Sequence, residues 1–307
     1  MRCKRFGDAS AFLHECEPFL TVHDPETNLI LSNAYRLDDN PPSPDRPAYM
    51  AFVEDEKGIS LAAIMGHRLP LSVYARAEVE GDALTLLVKD LLEWQTALSI
   101  GQPHSDSHDA HSGRFTKVVA PQQVAGAFAD TWKAQTGVTL MQGMHMRLYQ
   151  LRSVDHPGRT PGHLRLASES DTLLIARWYL EFDKEATNEQ LSVADAERIA
   201  ETKIGNRETF IWEDGGEAVT MVAKTRPTKQ GIVLNAVYTP PVHRRRGYAT
   251  GCVAAVSQRL LDEGYAFCSL FTDLTNPTSN SIYMKIGYKP MRDYYEYEFP
   301  LGGSGRS

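Results

Sequence analysis

The stretch from Ile232 to Glu263 constrains this chain more than any other. A β-branched run, Ile232-Val233-Leu234-Asn235-Ala236-Val237-Tyr238, predicts a strand; Thr239-Pro240-Pro241 ends it. Arg244-Arg245-Arg246-Gly247 follow, and a helix opens at Tyr248 or Ala249. A strand that passes through such a turn into a helix presents backbone N–H groups with no intrahelical acceptor, at the positive end of the helix dipole. Physically that is an anion site of the kind that takes phosphate. Gly247 permits close backbone approach and unusual torsions, small Ala249 leaves room, and the three arginines can add charge-assisted bonds. The competing reading of the same residues is a solvated arginine turn in which Gly247 only caps a helix.

Around this segment the pattern alternates between helix and strand. Residues 6 to 37 read as mostly helical, with Phe12, Leu13, Cys16, Phe19 and Leu20 on one face, and Asn40-Pro41-Pro42-Ser43-Pro44-Asp45 forbids regular structure. Ala48 to Glu54 and Ile59 to His67 predict a hairpin across Asp55-Glu56-Lys57-Gly58. Helices are expected over Asp82 to Thr96 and Gln122 to Gln135, the second closed by Gly137, with strands at Lys117 to Val119 and Met144 to Leu151. The breaker-rich run Asp155 to Gly162 then marks a boundary between domains 1–154 and 163–300, and 301–307 read as a flexible tail or cloning scar.

In the second domain the expected order is a strand at Leu164 to Ala167, then helices at Asp171 to Asp183 and Val193 to Lys203, the latter capped by Ser192. Strands at Thr209 to Trp212 and Ala218 to Lys224 turn at Asp214-Gly215-Gly216. The Ile232 strand and its helix come next, then a strand at Phe267 to Thr272, a helix at Ser279 to Ile286 and a strand at Tyr295 to Phe299. The fold class is mixed α/β.

Composition removes several functions. With 307 residues the chain suits two domains, and 42% hydrophobic with 23% charged residues is ordinary for a folded protein. A formal net charge of -7 gives no basic field for nucleic acid, and no apolar run approaches the ~20 residues that span a bilayer, so neither nucleic acid nor membrane is an expected partner. Cys3, Cys16, Cys252 and Cys268 show no paired spacing, and no apolar leader follows the basic N-terminus, which fits a reducing cytoplasm.

The arginine segment closely resembles the acetyl-CoA motif of the Gcn5-related N-acetyltransferases, whose Gln/Arg-x-x-Gly-x-Gly/Ala pattern is met by Arg244, Gly247 and Ala249; the resemblance runs from about residue 163 to 299. It implies a central mixed, mostly antiparallel sheet flanked by helices. It implies that Val237, Tyr238, Thr239, Arg244, Arg245, Arg246, Gly247, Tyr248, Ala249 and Thr250 contact coenzyme A, with the thioester oxygen held by backbone N–H groups near Val237 to Thr239. A splay between the strand ending near Val237 and the strand at Phe267 to Thr272 would admit the pantetheine arm. A second family feature is Asn276-Pro277-Thr278-Ser279-Asn280-Ser281-Ile282-Tyr283-Met284-Lys285-Ile286-Gly287-Tyr288. There the resemblance implies that Asn276, Ser279, Asn280 and Tyr283 line the pantetheine, and that Tyr283 protonates the departing thiolate; a phenol with a reference pKa near 10 carries its proton at neutral pH. The alternative for Tyr283 is a packed aromatic.

The N-terminal half carries no such motif but resembles the leading half of two-part bacterial members of this family at Val118-Val119-Ala120-Pro121 and Phe128 to Gly137. It reads as a divergent acetyltransferase-like domain that shapes an acceptor pocket at the domain interface, or as a scaffold. Acetyl transfer from acetyl-CoA to a primary amine of a small molecule, amino acid or peptide, by direct attack in a ternary complex, is the expected function. A non-catalytic acyl-CoA-binding regulator and an enzyme for longer acyl chains are the alternatives; a homodimer is compatible with every one of these readings. The strand 233–238 holds no carboxylate, so the general base stays open among Glu208, Glu213, Glu181, Asp183, Tyr238 and His243. His104-Ser105-Asp106-Ser107-His108-Asp109-Ala110-His111 could ligate a divalent ion, yet lacks accompanying cysteines and reads as an exposed loop, so no metal site is assigned.

Overall fold

Alternation along the strands shows how the chain buries its core. In β2 (Tyr49–Asp55), Tyr49, Ala51 and Val53 enter one hydrophobic cluster while Met50 and Phe52 enter another on the opposite face. β3 (Gly58–Met65) divides likewise, with Leu61 and Ala63 on one side and Ala62 and Ile64 on the other. A sheet buried on both faces needs helices on both faces. In this computed structural model the described residues are 1–44, 46–67, 69–76, 81–155 except 102–115, 158–186 and 190–300, with backbone only for 99–101.

Two compact units divide the chain, one of Met1–Arg147 with the described residues from Arg292 onward, the other of Leu148–Met291. In the first unit β1 (Arg2–Phe6), β2, β3, β4 (Leu71–Ala75), β5 (Lys117–Pro121) and the end of β12 (Lys289–Glu298) lie in that order, all antiparallel except β4 with β5. Tyr294 to Glu298 pair with Pro121 to Lys117. Helices α1 (Ala9–Val22) and α2 (Asn28–Asp39) cover one face, and α3 (Gly81–Gly101) and α4 (Gln122–Thr136) the other. The Asp8 carboxylate caps α1 by accepting from the Ala11 N–H at 2.8 Å, and Gly137 ends α4 in the left-handed region at φ 74°.

The second unit repeats the plan. β7 (His163–Leu166), β8 (Thr209–Asp214), β9 (Glu217–Thr225) and β10 (Gly231–Tyr238) form an antiparallel series, and β11 (Phe267–Asp273) joins β10 in parallel. α5 (Thr172–Ala186) and α6 (Val193–Gly205) pack with Ile211, Met221 and Ala223 on one face; α7 (Tyr248–Asp262) and α8 (Pro277–Ile286) pack with Phe210, Val222 and Ile232 on the other. Each large side chain buried this way contributes roughly 1.5–3 kcal/mol.

The expected mixed, mostly antiparallel architecture is present, and element placement agrees closely with expectation over most of the chain. Three differences stand out. The stretch 6–37 is mostly helical as expected, in two helices, but it is preceded by β1, which the sequence reading left unassigned. β4, which the sequence reading left unassigned, is fully buried between β3 and β5. The units part at Arg147/Leu148, inside β6 (Met141–Leu151), and again at Met291/Arg292, not at Asp155 to Gly162. Strand pairing, rather than the polar loop, sets the division. The histidine-rich 104–111 and the tail 301–307 lie outside the described residues. Among the described residues no helix is long and apolar enough to cross a membrane.

Candidate active site

In β10 the even residues Ile232 and Leu234 pack with α7, yet Ala236 and Tyr238, also even, pack with α5 and α6. A β-bulge causes the reversal: the register with β9 jumps between Asn235 and Tyr238, and Ala236 takes φ +47°. A non-glycine residue in that region stores of order 1–3 kcal/mol of strain. The buried Thr220 hydroxyl holds the far side of the bulge, donating to the Tyr238 carbonyl at 2.6 Å and lying 2.7 Å from the Thr239 hydroxyl.

Beyond Val233 the sheet opens. β10 pairs with β11 only at Gly231↔Phe267, Ile232↔Cys268 and Val233↔Ser269, although the two strands continue to Tyr238 and Asp273. The splay expected from the sequence is therefore present, with the bulge on one arm. Ser269, at the point of separation, has a buried hydroxyl with no partner among the described residues.

After β10 the chain makes a short 3₁₀ turn, Pro241–His243, and enters the arginine segment. Arg245 has φ +63° and Gly247 φ +82°, so left-handed residues flank Arg246 and the backbone curls into a concave turn. The first helical bond of α7 runs from the Gly251 N–H to the Gly247 carbonyl at 2.9 Å, and no side chain caps the helix. Among the described residues the N–H groups of Arg245, Arg246, Gly247, Tyr248, Ala249 and Thr250 have no acceptor. Residues 244–247 are exposed, so these donors face solvent at the positive end of a helix dipole.

The three arginine side chains differ. Arg244 is engaged: it pairs with Glu185 on α5 at 2.7 Å and its Nε donates to the Thr239 carbonyl at 2.8 Å. Arg246 lies over the Tyr248 ring, 4.9 Å from its centroid. Among the described residues neither Arg245 nor Arg246 pairs with a carboxylate. Tyr248 is buried and its hydroxyl donates to Asp214 at 2.5 Å, which raises its pKa and fixes the start of α7 against the β8–β9 turn.

The α8 residues separate into scaffold and open groups. Asn276 caps the helix by accepting from the Ser279 N–H at 3.1 Å. Asn280 is buried and fully used: it accepts from the Tyr149 hydroxyl at 2.8 Å and donates to the Asp273 and Asn276 carbonyls at 3.1 and 2.7 Å. Tyr283 is 7% exposed, packed between Tyr149 and Tyr288 at centroid distances of 6.3 and 5.9 Å. Its hydroxyl has no hydrogen bond among the described residues, and burial pushes its pKa up, so it holds its proton. Cys252 and Cys268 are buried, the Cys268 thiol donating to the Ser257 carbonyl at 3.7 Å; burial raises both thiols, Cys268 to about 12, which makes them inert as nucleophiles.

The general-base candidates are sorted by their partners. Glu208 pairs with Lys203 at 2.6 Å and Glu213 with Arg165 at 2.7 Å. Asp183 accepts from the Leu191 N–H at 2.9 Å. His243 is buried with Nε2 3.4 Å from Glu217. Tyr238 donates to Glu181 at 2.8 Å. Among the described residues no group of His, Cys, Asp and Glu is arranged to hold a metal ion.

Thr220, the bulge at Ala236, Tyr149 and Glu185 also belong to this region and were not singled out from the sequence. Thr220 alone left a signal, as a lone hydroxyl inside the apolar run Val219 to Ala223.

Residues 214–297 match the family model of FR47-like proteins. No curated protein matches the chain in sequence. Solved structures match along nearly its whole length. An acetyltransferase of the GNAT family from Colwellia psychrerythraea aligns over 97% of this chain and 100% of that one at 11% identity and TM-score 0.57. A GCN5-related N-acetyltransferase from Sphaerobacter thermophilus aligns over 96% and 94% at 15% identity and TM-score 0.57. A tandem GNAT protein from the clavulanic acid biosynthesis pathway aligns over 99% and 100% at 12% identity and TM-score 0.56. Fold and site together define a two-part protein of the Gcn5-related N-acetyltransferase fold. Its FR47-like region spans the whole path from the β8–β9 turn through the arginine segment to β12.

Proposed function

We propose that the protein is an acetyl-CoA-dependent N-acetyltransferase acting on a primary amine of a small molecule, amino acid or peptide. The observation that carries this reading is the row of acceptor-free N–H groups from Arg245 to Thr250, set beside a sheet that splits at Val233. Coenzyme A fits that arrangement. The turn with Arg245 and Arg246 would hold the pyrophosphate, and the split between β10 and β11 would take the pantetheine past the Ser269 hydroxyl. When bound, acetyl-CoA supplies an activated acyl carbon.

The residues of the chain do the rest. Backbone N–H groups at the bulge, Val237 to Thr239, would stabilise the thioester oxygen as it gains charge. Tyr283, protonated and buried, would donate to the departing sulfur. Inert Cys252 and Cys268 argue for direct transfer over a covalent enzyme intermediate. Glu185 would release Arg244 to the pyrophosphate at small cost, because an exposed ion pair is worth ~1 kcal/mol or less.

Calorimetric titration with acetyl-CoA, paired with CoA release across a panel of aliphatic amines, amino acids and peptides, tests the proposal. Binding that is weakened by Arg246→Ala, with turnover on at least one amine, is the expected result. Tight binding with no turnover on any amine would replace the enzyme with an acyl-CoA-binding regulator.

A further inference from the structure

We infer that Glu181 is the proton acceptor for the attacking amine and that Tyr238 is its positioning residue, turned toward it by the bulge in β10. The inference rests on the acetyltransferase reading and deepens it, because β10 itself offers no carboxylate.

A base must lie next to the place where the thioester sits, and it must be open to a cationic substrate. The bulge residues would hold the thioester oxygen, and Tyr238 is the last residue of that strand. Without the bulge Tyr238 would follow Ile232 and Leu234 to the α7 face. With it, the ring packs beside Trp178 of α5, 6.3 Å between centroids, and the hydroxyl reaches the Glu181 carboxylate at 2.8 Å. Burial and this bond raise the Tyr238 pKa, so the phenol stays a donor to Glu181 and is excluded as a base.

Glu181 keeps 42% of its side chain exposed, and its second oxygen faces the still more exposed Arg177 guanidinium at 3.9 Å, a solvent-screened pair that an incoming cation can displace. The other sequence candidates are spoken for. Lys203 and Arg165 neutralise Glu208 and Glu213, the α5–α6 connection uses Asp183, and His243 lies buried against Glu217. The charged groups around the pair are Arg177 at 3.9 Å and Glu185, both on α5, and Arg244 from the arginine turn, which Glu185 neutralises. An exposed carboxylate, held by Tyr238 and only loosely paired with Arg177 beside aromatic rings, suits one substrate class, a primary amine that arrives as the ammonium ion.

The step balances as follows. The ammonium gives one proton to Glu181, and the freed nitrogen lone pair forms the C–N bond. The C–S bond breaks with its electrons on sulfur, which takes a proton from Tyr283. The nitrogen loses its second proton to restore Tyr283, and Glu181 returns its own to water. Acetylated amine, free thiol and one proton are the products.

The test uses the full chain and the best acceptor from the amine panel, alongside the aminooxy counterpart of that acceptor, whose nitrogen carries no proton at neutral pH. Glu181→Gln is expected to lower kcat about 100-fold on the amine. It should change turnover of the aminooxy compound only a few fold, with acetyl-CoA affinity unchanged by calorimetry. Glu181→Asp should retain more activity than Glu181→Gln, and Tyr238→Phe should lose about 10-fold on the amine alone. Equal loss on both acceptors, or full activity of Glu181→Gln on the amine, overturns the assignment while leaving the acetyltransferase standing. A wild-type protein that turns over no amine overturns the acetyltransferase reading, and the assignment falls with it.

Discussion

Gly247 is the position where the anion-site argument can be measured most directly. Its φ is +82°, and a Cβ added there would meet only the Thr160 hydroxyl at 3.8 Å, so Gly247→Ala creates no clash. The cost is torsional, about 1 kcal/mol for an L-residue held in the left-handed region, or ~3 °C of melting temperature in a chain of this size. Gly247→Asn, which tolerates that region, should recover most of it. Gly247→Glu carries the same torsional cost and adds a negative charge. At roughly 6 Å from a diphosphate, with an effective dielectric between ~20 and ~80, repulsion amounts to about 0.7–3 kcal/mol per phosphate charge. That is roughly 3- to 100-fold in Kd, and raising the salt concentration should shrink it. Thermal melts report the first effect and acetyl-CoA titration the second. If Gly247→Glu binds acetyl-CoA as tightly as Gly247→Ala at low salt, the diphosphate does not sit at this turn.

Tyr283→Phe should lower kcat about 10- to 100-fold with acetyl-CoA affinity nearly intact, and a matching loss of affinity would remove its acid role. The Asp171 carboxyl is held near pH 2, from 3.8, chiefly by hydrogen bonds from Arg165. A depressed carboxylate contributes stability that is complete above about pH 4 and lost as pH falls through about 2. Asp171→Asn should therefore cost about 2 kcal/mol in urea melts at pH 7 and almost nothing near pH 2, whereas an equal cost at both would exclude the charge pairing. Gly231→Ala would place a Cβ 2.1 Å from the Phe267 ring, so the residue that begins the β10–β11 pairing should lose about 1–3 kcal/mol in thermal or chemical melts. An unchanged melting curve would mean that the ring moves aside freely.

Much of this was legible in the sequence because the informative signals are local. Strand, turn, glycine and helix follow one another from Ile232 to Glu263, and the structure keeps that order. Ser192 caps α6 and Gly137 ends α4 for reasons contained within a few residues. What escaped notice depends on distant partners. β1 hides behind Arg2, Lys4 and Arg5, whose charges are met by Glu54, Glu15 and Asp90. The bulge at Ala236 has no glycine to announce it, and its hydroxyl support comes from Thr220 on the neighbouring strand. Glu185 lies 59 positions from Arg244, and Glu181 lies 57 from Tyr238. Which arginine is already paired and which carboxylate stays open are properties of the assembled unit.

The return of Arg292 to Glu298 to the first unit has a temporal meaning. β5 completes its pairing with a strand that emerges only after the whole intervening unit, Leu148–Met291, has been synthesised. At ~5–20 residues per second that is a wait of roughly 7–30 s with Lys117 to Pro121 as an open edge. During translation the N-terminal portion is thus a template awaiting its last strand, and a gene cut at the Asp155 to Gly162 loop would leave it waiting permanently.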